Sequence, residues 1–135
     1  MSAAFAKAPQ NSNGQYDLAD LRRSGEIIVV TLSGPDTYYD YHGLPMGLQY
    51  ALAENFAASE GLKVRIETAK DTAEMLQLVA EGDADLMACP VPEHLLKQKG
   101  LAVAGVHDEK NQKSWAVKPN AKELIASLNE WYTEG

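Results

Sequence analysis

Apolar positions along the chain follow two periods, and the alternation between them predicts the order of elements. Glu26 to Leu32 (EIIVVTL) is a continuous β-branched run, apolar on both faces, as a central parallel strand should be. Leu62 to Thr68 (LKVRIET) alternates apolar and polar, the pattern of a half-buried strand. Ala84 to Cys89 (ADLMAC) reads as a short buried strand that Pro90 and Pro92 break. Between the strands the period becomes helical. Pro45 to Ser59 places Leu48, Leu52 and Phe56 on one stripe with Ala51 and Ala53 beside it, and Gly61 stops the helix. Asp71 or Thr72 caps a second helix that turns Met75, Leu76 and Val79 inward and ends at Gly82. Upstream, Asp17 caps a short turn, DLADLRRSG, closed by Gly25.

The order is β-α-β-α-β with short connections, which predicts a parallel, right-handed α/β unit. Leu101 to Val106 and Ser114 to Val117 read as two further strands around a polar turn, Asp108 to Lys113. Asn120 then caps a last helix carrying Leu124, Ile125, Leu128 and Trp131. Residues 1–16 are small, polar and aperiodic, which predicts a flexible tail ahead of one domain spanning residues 17–135.

Composition narrows the function classes. A chain of 135 residues can bury a core without staples. Its formal net charge of -7 argues against a nucleic-acid footprint and against docking on anionic lipid. Cys89 is the only cysteine, so no intramolecular disulfide forms. No apolar run has the length of a membrane span, and the N-terminus lacks the basic and apolar regions of a secretory leader.

Candidate chemistry gathers after the first strand. Ser33 to Gly43 (SGPDTYYDYHG) is a turn-rich, aromatic loop at a strand's carboxyl end, where open α/β sheets bind ligands. Tyr38, Tyr39 and Tyr41, with Asp36, Asp40 and His42, either stack on and hydrogen-bond to a ligand or partly cap the core. His42, His94 and His107 have no companions at metal-ligand spacing, so no metal and no cofactor are expected. Cys89 reads as a small buried hydrophobe. Neither a phosphate-binding glycine loop nor a nucleophile elbow is present. Glu81 to Asp85 reads as a structural turn, in which Asp85 accepts backbone donors.

Four segments resemble the type 2 periplasmic solute-binding fold (bacterial extracellular solute-binding family 3). They are most similar to the form that precedes the catalytic domain in the membrane-bound lytic murein transglycosylase F family. The segments are LRRSGEIIVVTLSGPDTYY, GLPMGLQYALAENFAASEGLKVRI, EGDADLMACPVP and SWAVKPNAKELIASLNEWY. The resemblance implies one lobe of the periplasmic-binding-protein-like II fold, three-layer α/β/α with a mainly parallel sheet. It also implies a periplasmic location after loss of a signal peptide. In that family a second lobe is inserted after the third strand; here only about Glu93 to Gly100 lies between, so the second lobe is expected to be absent. Relatives hold a ligand carboxylate with an arginine in this segment, for which Lys97 is the nearest counterpart, and they often carry an acid near Gln49. The chain ends before any catalytic domain, so no catalytic residue is assigned.

The expectation is therefore a non-catalytic ligand-binding or regulatory lobe linked to peptidoglycan or amino-acid sensing. Its site would be Ser33, Tyr38, Tyr39, Pro90 and Lys97, and its ligand an amino acid or muropeptide held weakly (~mM) on an open shelf. One alternative is a fragment of a lytic transglycosylase. Another is a degenerate lobe that binds a protein partner on the exposed sheet edge or forms a homodimer.

Overall fold

The computed structural model describes residues 17–134, so the tail expected over residues 1–16 lies outside the described residues. The elements are α1 (Leu18–Ser24), β1 (Glu26–Leu32), β2 (Tyr39–Tyr41), β3 (Leu44–Met46), α2 (Leu48–Ser59), β4 (Lys63–Ala69) and α3 (Thr72–Ala80). They continue with β5 (Leu86–Pro92), α4 (Glu93–Gln98), β6 (Ala102–Asp108), β7 (Lys113–Val117) and α5 (Lys122–Glu134).

Five strands form one sheet in the order β4-β1-β5-β7-β6. The β-branched run of β1 pairs in parallel with β4 from Glu26↔Lys63 to Leu32↔Ala69, and with β5 at Val29↔Leu86 and Val30↔Met87. β7 runs antiparallel to both β5 and β6. Alternate residues of β1 enter opposite cores. Ile27 and Val29 join Leu21, Phe56, Trp115 and Leu128 on the side of α1, α2 and α5. Val30 joins Met75, Leu76, Val79 and Leu96 on the side of α3 and α4. Helices thus cover both faces, and the three-layer α/β/α architecture that the resemblance implies is the one observed.

Asp17 ties the chain's first helix to its last. Its carboxylate accepts from Leu18 N–H at 2.7 Å, and also from Glu123 N–H at 3.0 Å and Leu124 N–H at 2.9 Å, in the first turn of α5. The sequence assigns that second cap to Asn120; a contact across more than a hundred residues carries no local signal. Asp85 likewise does more than shape a turn, because its carboxylate accepts from Ile28 N–H at 2.8 Å and locks β1 beside the start of β5.

Other boundaries differ for identifiable reasons. β5 runs through Pro90 and Pro92 instead of stopping at Cys89. Parallel pairing to β1 occurs at Leu86 and Met87, while Val91 and Pro92 face β7, so the missing proline donors fall where the ladder is one-sided. The helix expected from Pro45 starts at Leu48, because Leu44–Met46 folds back on Tyr39–Tyr41 as a hairpin. Its inward face is Gln49, Tyr50, Ala53, Phe56 and Ala57, and Leu48 stays 59% exposed. The connector after Pro92 is helix α4, which ends at Gly100 with φ +73°.

Candidate functional site

β1, β4 and β5 all end at one rim of the sheet, and that rim is the candidate site. Four segments meet there: the loop from Ser33 after β1, Lys70 and Asp71 after β4, Pro90 to Glu93 at the end of β5, and the turn between β6 and β7. The last follows from the antiparallel pairing Pro92↔Lys113, which brings the start of β7 to the carboxyl end of β5. The Glu93 N–H donates to the Gln112 carbonyl at 2.8 Å and fixes the turn against β5.

The tyrosine loop is held by backbone contacts. Gly34 N–H donates to the Tyr38 carbonyl at 2.9 Å, and Ser33 and Tyr38 form a bridge. The carbonyls of Asp36 and Thr37 accept from Gln49 N–H and Tyr50 N–H, each at 3.0 Å. The loop therefore caps α2, which has no side-chain cap, and takes up two of the donors that an anion would otherwise find at a helix start. This docking depends on Gly47. Its φ is +119°, and a Cβ there would stand 2.4 Å from the Thr37 carbonyl oxygen.

Tyr38 is half-buried with its ring edge-on to Tyr50, centroids 5.4 Å apart. Tyr50 donates its hydroxyl to Glu54 at 2.8 Å. Burial first, then the Glu54 hydrogen bond and charge, push the Tyr50 hydroxyl up to about 12. Tyr39 is 36% exposed.

The fold brings Ser33, Tyr38, Tyr39 and Pro90 to the rim. Ser33 is exposed and Pro90 half-buried. Lys97 is placed differently. It lies in the last turn of α4, exposed, and α4 leads from the rim toward Ala102, which pairs with Val117 at the opposite end of the sheet. Of the cations at the rim, the one that the topology sets directly beside the end of β5 is Lys113, which pairs with Pro92 and which sequence reading left inside a polar turn. The signal was available, because a hairpin following a strand that ends at the rim must return its turn to the same rim. Lys113 is close enough to oppose, through its charge, the rise that burial imposes on the Cys89 thiol. Burial prevails over that charge and raises the Cys89 thiol above its ordinary value, which keeps it neutral and is consistent with a packing role.

Two other expected features take structural roles. The Gln49 side chain is buried and accepts the indole N–H of Trp115 at 2.7 Å. Asp71 caps α3 by accepting from Glu74 N–H at 2.9 Å. Among the described residues no group of three His, Cys, Asp or Glu side chains is placed to hold a metal ion, and no helix is long and apolar enough to cross a membrane.

Comparison with known proteins places this geometry. A family model described as NMT1/THI5 like matches residues 45–131, well over half of the chain. Membrane-bound lytic murein transglycosylase F of Aeromonas hydrophila subsp. hydrophila is 36% identical over 74 residues, which are 55% of this chain and 15% of that protein. The matched segment is thus a small part of that relative. The arginine-bound form of domain 1 from TmArgBP, the T. maritima arginine-binding protein, superposes with a TM-score of 0.73 at 16% identity. That match covers 86% of this chain and 98% of that one. A solute receptor for L-cysteine of Neisseria gonorrhoeae gives a TM-score of 0.58 at 19% identity, covering 66% of this chain and 38% of that one. These two likenesses show the fold: a single lobe of the periplasmic-binding-protein-like II kind.

Proposed function

The chain belongs to the NMT1/THI5-like family, and from that premise we propose that it is a non-catalytic lobe that binds an amino-acid-sized solute at the carboxyl rim of its sheet. The observation that carries this reading is the braced tyrosine loop, held on α2 by the Asp36 and Thr37 carbonyls at the carboxyl end of β1, the strand that pairs with β5. A rim fixed by backbone hydrogen bonds presents its side chains without first having to be ordered, which lowers the cost of binding.

In this reading Ser33 and Tyr39 offer hydroxyls, Tyr38 and Pro90 an apolar wall, and Lys113 a cation for a carboxylate. Lys97 contributes less, because α4 carries it away from the rim. The likeness to a single arginine-bound domain supports the idea that one lobe suffices for such binding. An open shelf still leaves much of the ligand in water, so affinity is expected near ~mM. Equilibrium dialysis against L-arginine, L-cysteine and L-glutamate tests it. Saturable uptake that Tyr39→Ala and Lys113→Ala weaken, and Lys97→Ala spares, is expected. Uptake of none of them at several times that concentration contradicts the reading.

The segment shared with a lytic transglycosylase favours a second reading, in which the ligand is a soluble peptidoglycan fragment and the location periplasmic. Adding soluble muropeptides to the same dialysis separates the two. Incubation with cell-wall sacculi addresses catalysis, since release of soluble fragments by this chain would contradict the non-catalytic assignment.

A further inference from the structure

We propose that the apolar face of the β2–β3 hairpin, continued along the outward side of α2, docks a cationic and apolar polypeptide segment. Tyr39 pairs with Met46 and Tyr41 with Leu44. Side chains alternate along a strand and directly opposed residues share a face, so these four stand on one side of the hairpin. They are 36%, 40%, 56% and 60% exposed in that order, so the face is uncovered among the described residues. A two-stranded sheet gains little stability in water unless its apolar face is packed. With Leu48, these account for five of the six large hydrophobic side chains exposed among the described residues.

The patch continues as a groove. A depression of about 390 Å³ runs between the hairpin and α2, past Tyr39, Met46, Leu48 and Glu54. A second, of about 650 Å³, follows α2 toward Lys63 and shares Ala51 and Glu54 with the first. The two depressions adjoin at Ala51 and Glu54, so an occupant that follows them spans the hairpin and the outward side of α2.

Charge selects the occupant. From Ser33 to Leu62 the chain has no lysine or arginine, while Asp36, Asp40, Glu54 and Glu60 lie in that stretch. Glu54 lines both depressions and Asp36 lies in the loop beside the first, while Asp40 points from the opposite side of the hairpin. The one basic residue on the lining, Lys63, stands at the far end of the second depression, so the acidic end is the one beside the hairpin. A second copy would bring the same acids to the contact, whereas a segment carrying Lys or Arg among apolar residues offsets them. Pro45, in the middle of β3, supplies no N–H to an added strand, so recognition runs through side chains rather than strand addition. This surface shares Tyr39 with the proposed solute site, so its test reads Tyr41, Leu44, Leu48 and Ala51, which lie outside that site, and needs no solute.

The test is an amide-resolved NMR titration with a synthetic amphipathic Leu/Lys peptide and a Leu/Glu peptide of the same pattern. The Leu/Lys peptide is expected to shift Tyr41, Leu44, Met46, Leu48 and Ala51 saturably, with affinity falling as salt rises. Leu48→Ser should weaken it roughly tenfold, and Glu54→Gln, which keeps an acceptor for Tyr50, by a few-fold. Equal binding of the Leu/Glu peptide, or shifts scattered over the acidic surface, overturns the proposal. So does a concentration-dependent dimer, seen by sedimentation, that Leu48→Ser abolishes.

Discussion

Trp115 donates its indole N–H to the side-chain oxygen of Gln49 at 2.7 Å, and both side chains are buried. The bond joins the middle of β7 to the first turn of α2, and so ties the antiparallel half of the sheet to the helix that carries the tyrosine loop. Gln49→Ala strands the indole donor in the core and should cost about 1–3 kcal/mol. Chemical denaturation followed by tryptophan fluorescence measures it. The cycle with Trp115→Phe should be clearly non-additive, and additive losses would show that the bond contributes little.

Gly47 is the hinge of the rim. Gly47→Ala forces a Cβ to within 2.4 Å of the Thr37 carbonyl oxygen at a φ of +119°, and should destabilise by at least about 2 kcal/mol or displace the loop. Gly61→Ala is the control. Its φ is +73° but nothing lies within 4 Å of the new carbon, so only about 1 kcal/mol of backbone strain is expected. Equal losses at the two positions would mean that the loop does not bear on α2.

Alkaline pH should expose the Tyr50–Glu54 pair. The Tyr50 hydroxyl is raised from 10.0 to about 12 in the fold, so the fold favours its neutral form. A raised pKa contributes stability that is fully present below pH 10 and is lost as pH rises toward 12. Tyr50→Phe, with no proton to lose, should show a flatter decline in stability across that window. A phenolate absorbance titration of the wild type should show one of the six tyrosines ionising late. Identical pH profiles for the two proteins would remove this linkage.

Acid pH should report on Glu60. Burial alone would raise it, but hydrogen bonds from Ser127 and Arg22, with the Arg22 charge, hold it below its ordinary value of 4.5. A depressed carboxyl pKa contributes stability that is present above the unfolded value and lost as pH falls through the folded one. Ser127→Ala should therefore lower stability at neutral pH, and part of the gap to wild type should close below about pH 4. A gap that stays constant down to pH 3 would assign the loss to packing of α5 against α2.

How far the sequence reveals this molecule depends on how local each signal is. β1, β4 and α3 follow from periodicity alone, since Ile27 and Val29 face one core while Val30 faces the other. The hairpin was masked by its turn, where His42 takes a φ of +52° that Asn or Gly more often supplies. Pro90 and Pro92 read as breakers because a one-sided ladder cannot be foreseen from one strand. The inward face of α2 is rotated from the Leu48–Leu52–Phe56 stripe because Gln49, polar in sequence, is buried by a partner 66 positions away. At the candidate rim the same limit holds. The tyrosines announced themselves, whereas Lys113 needed the sheet order to be seen.

The central claim is that the carboxyl rim binds a small solute, and an amide-resolved NMR titration of this chain with free amino acids tests it most directly. The account predicts saturable shifts grouped on Ser33 to Tyr39, Pro90 to Glu93 and Lys113, with α5 and the hairpin tip at Tyr41 and Leu44 unmoved. Absence of shifts at several times the ~mM affinity expected of an open shelf, or saturable shifts confined to the hairpin and α2, would contradict it.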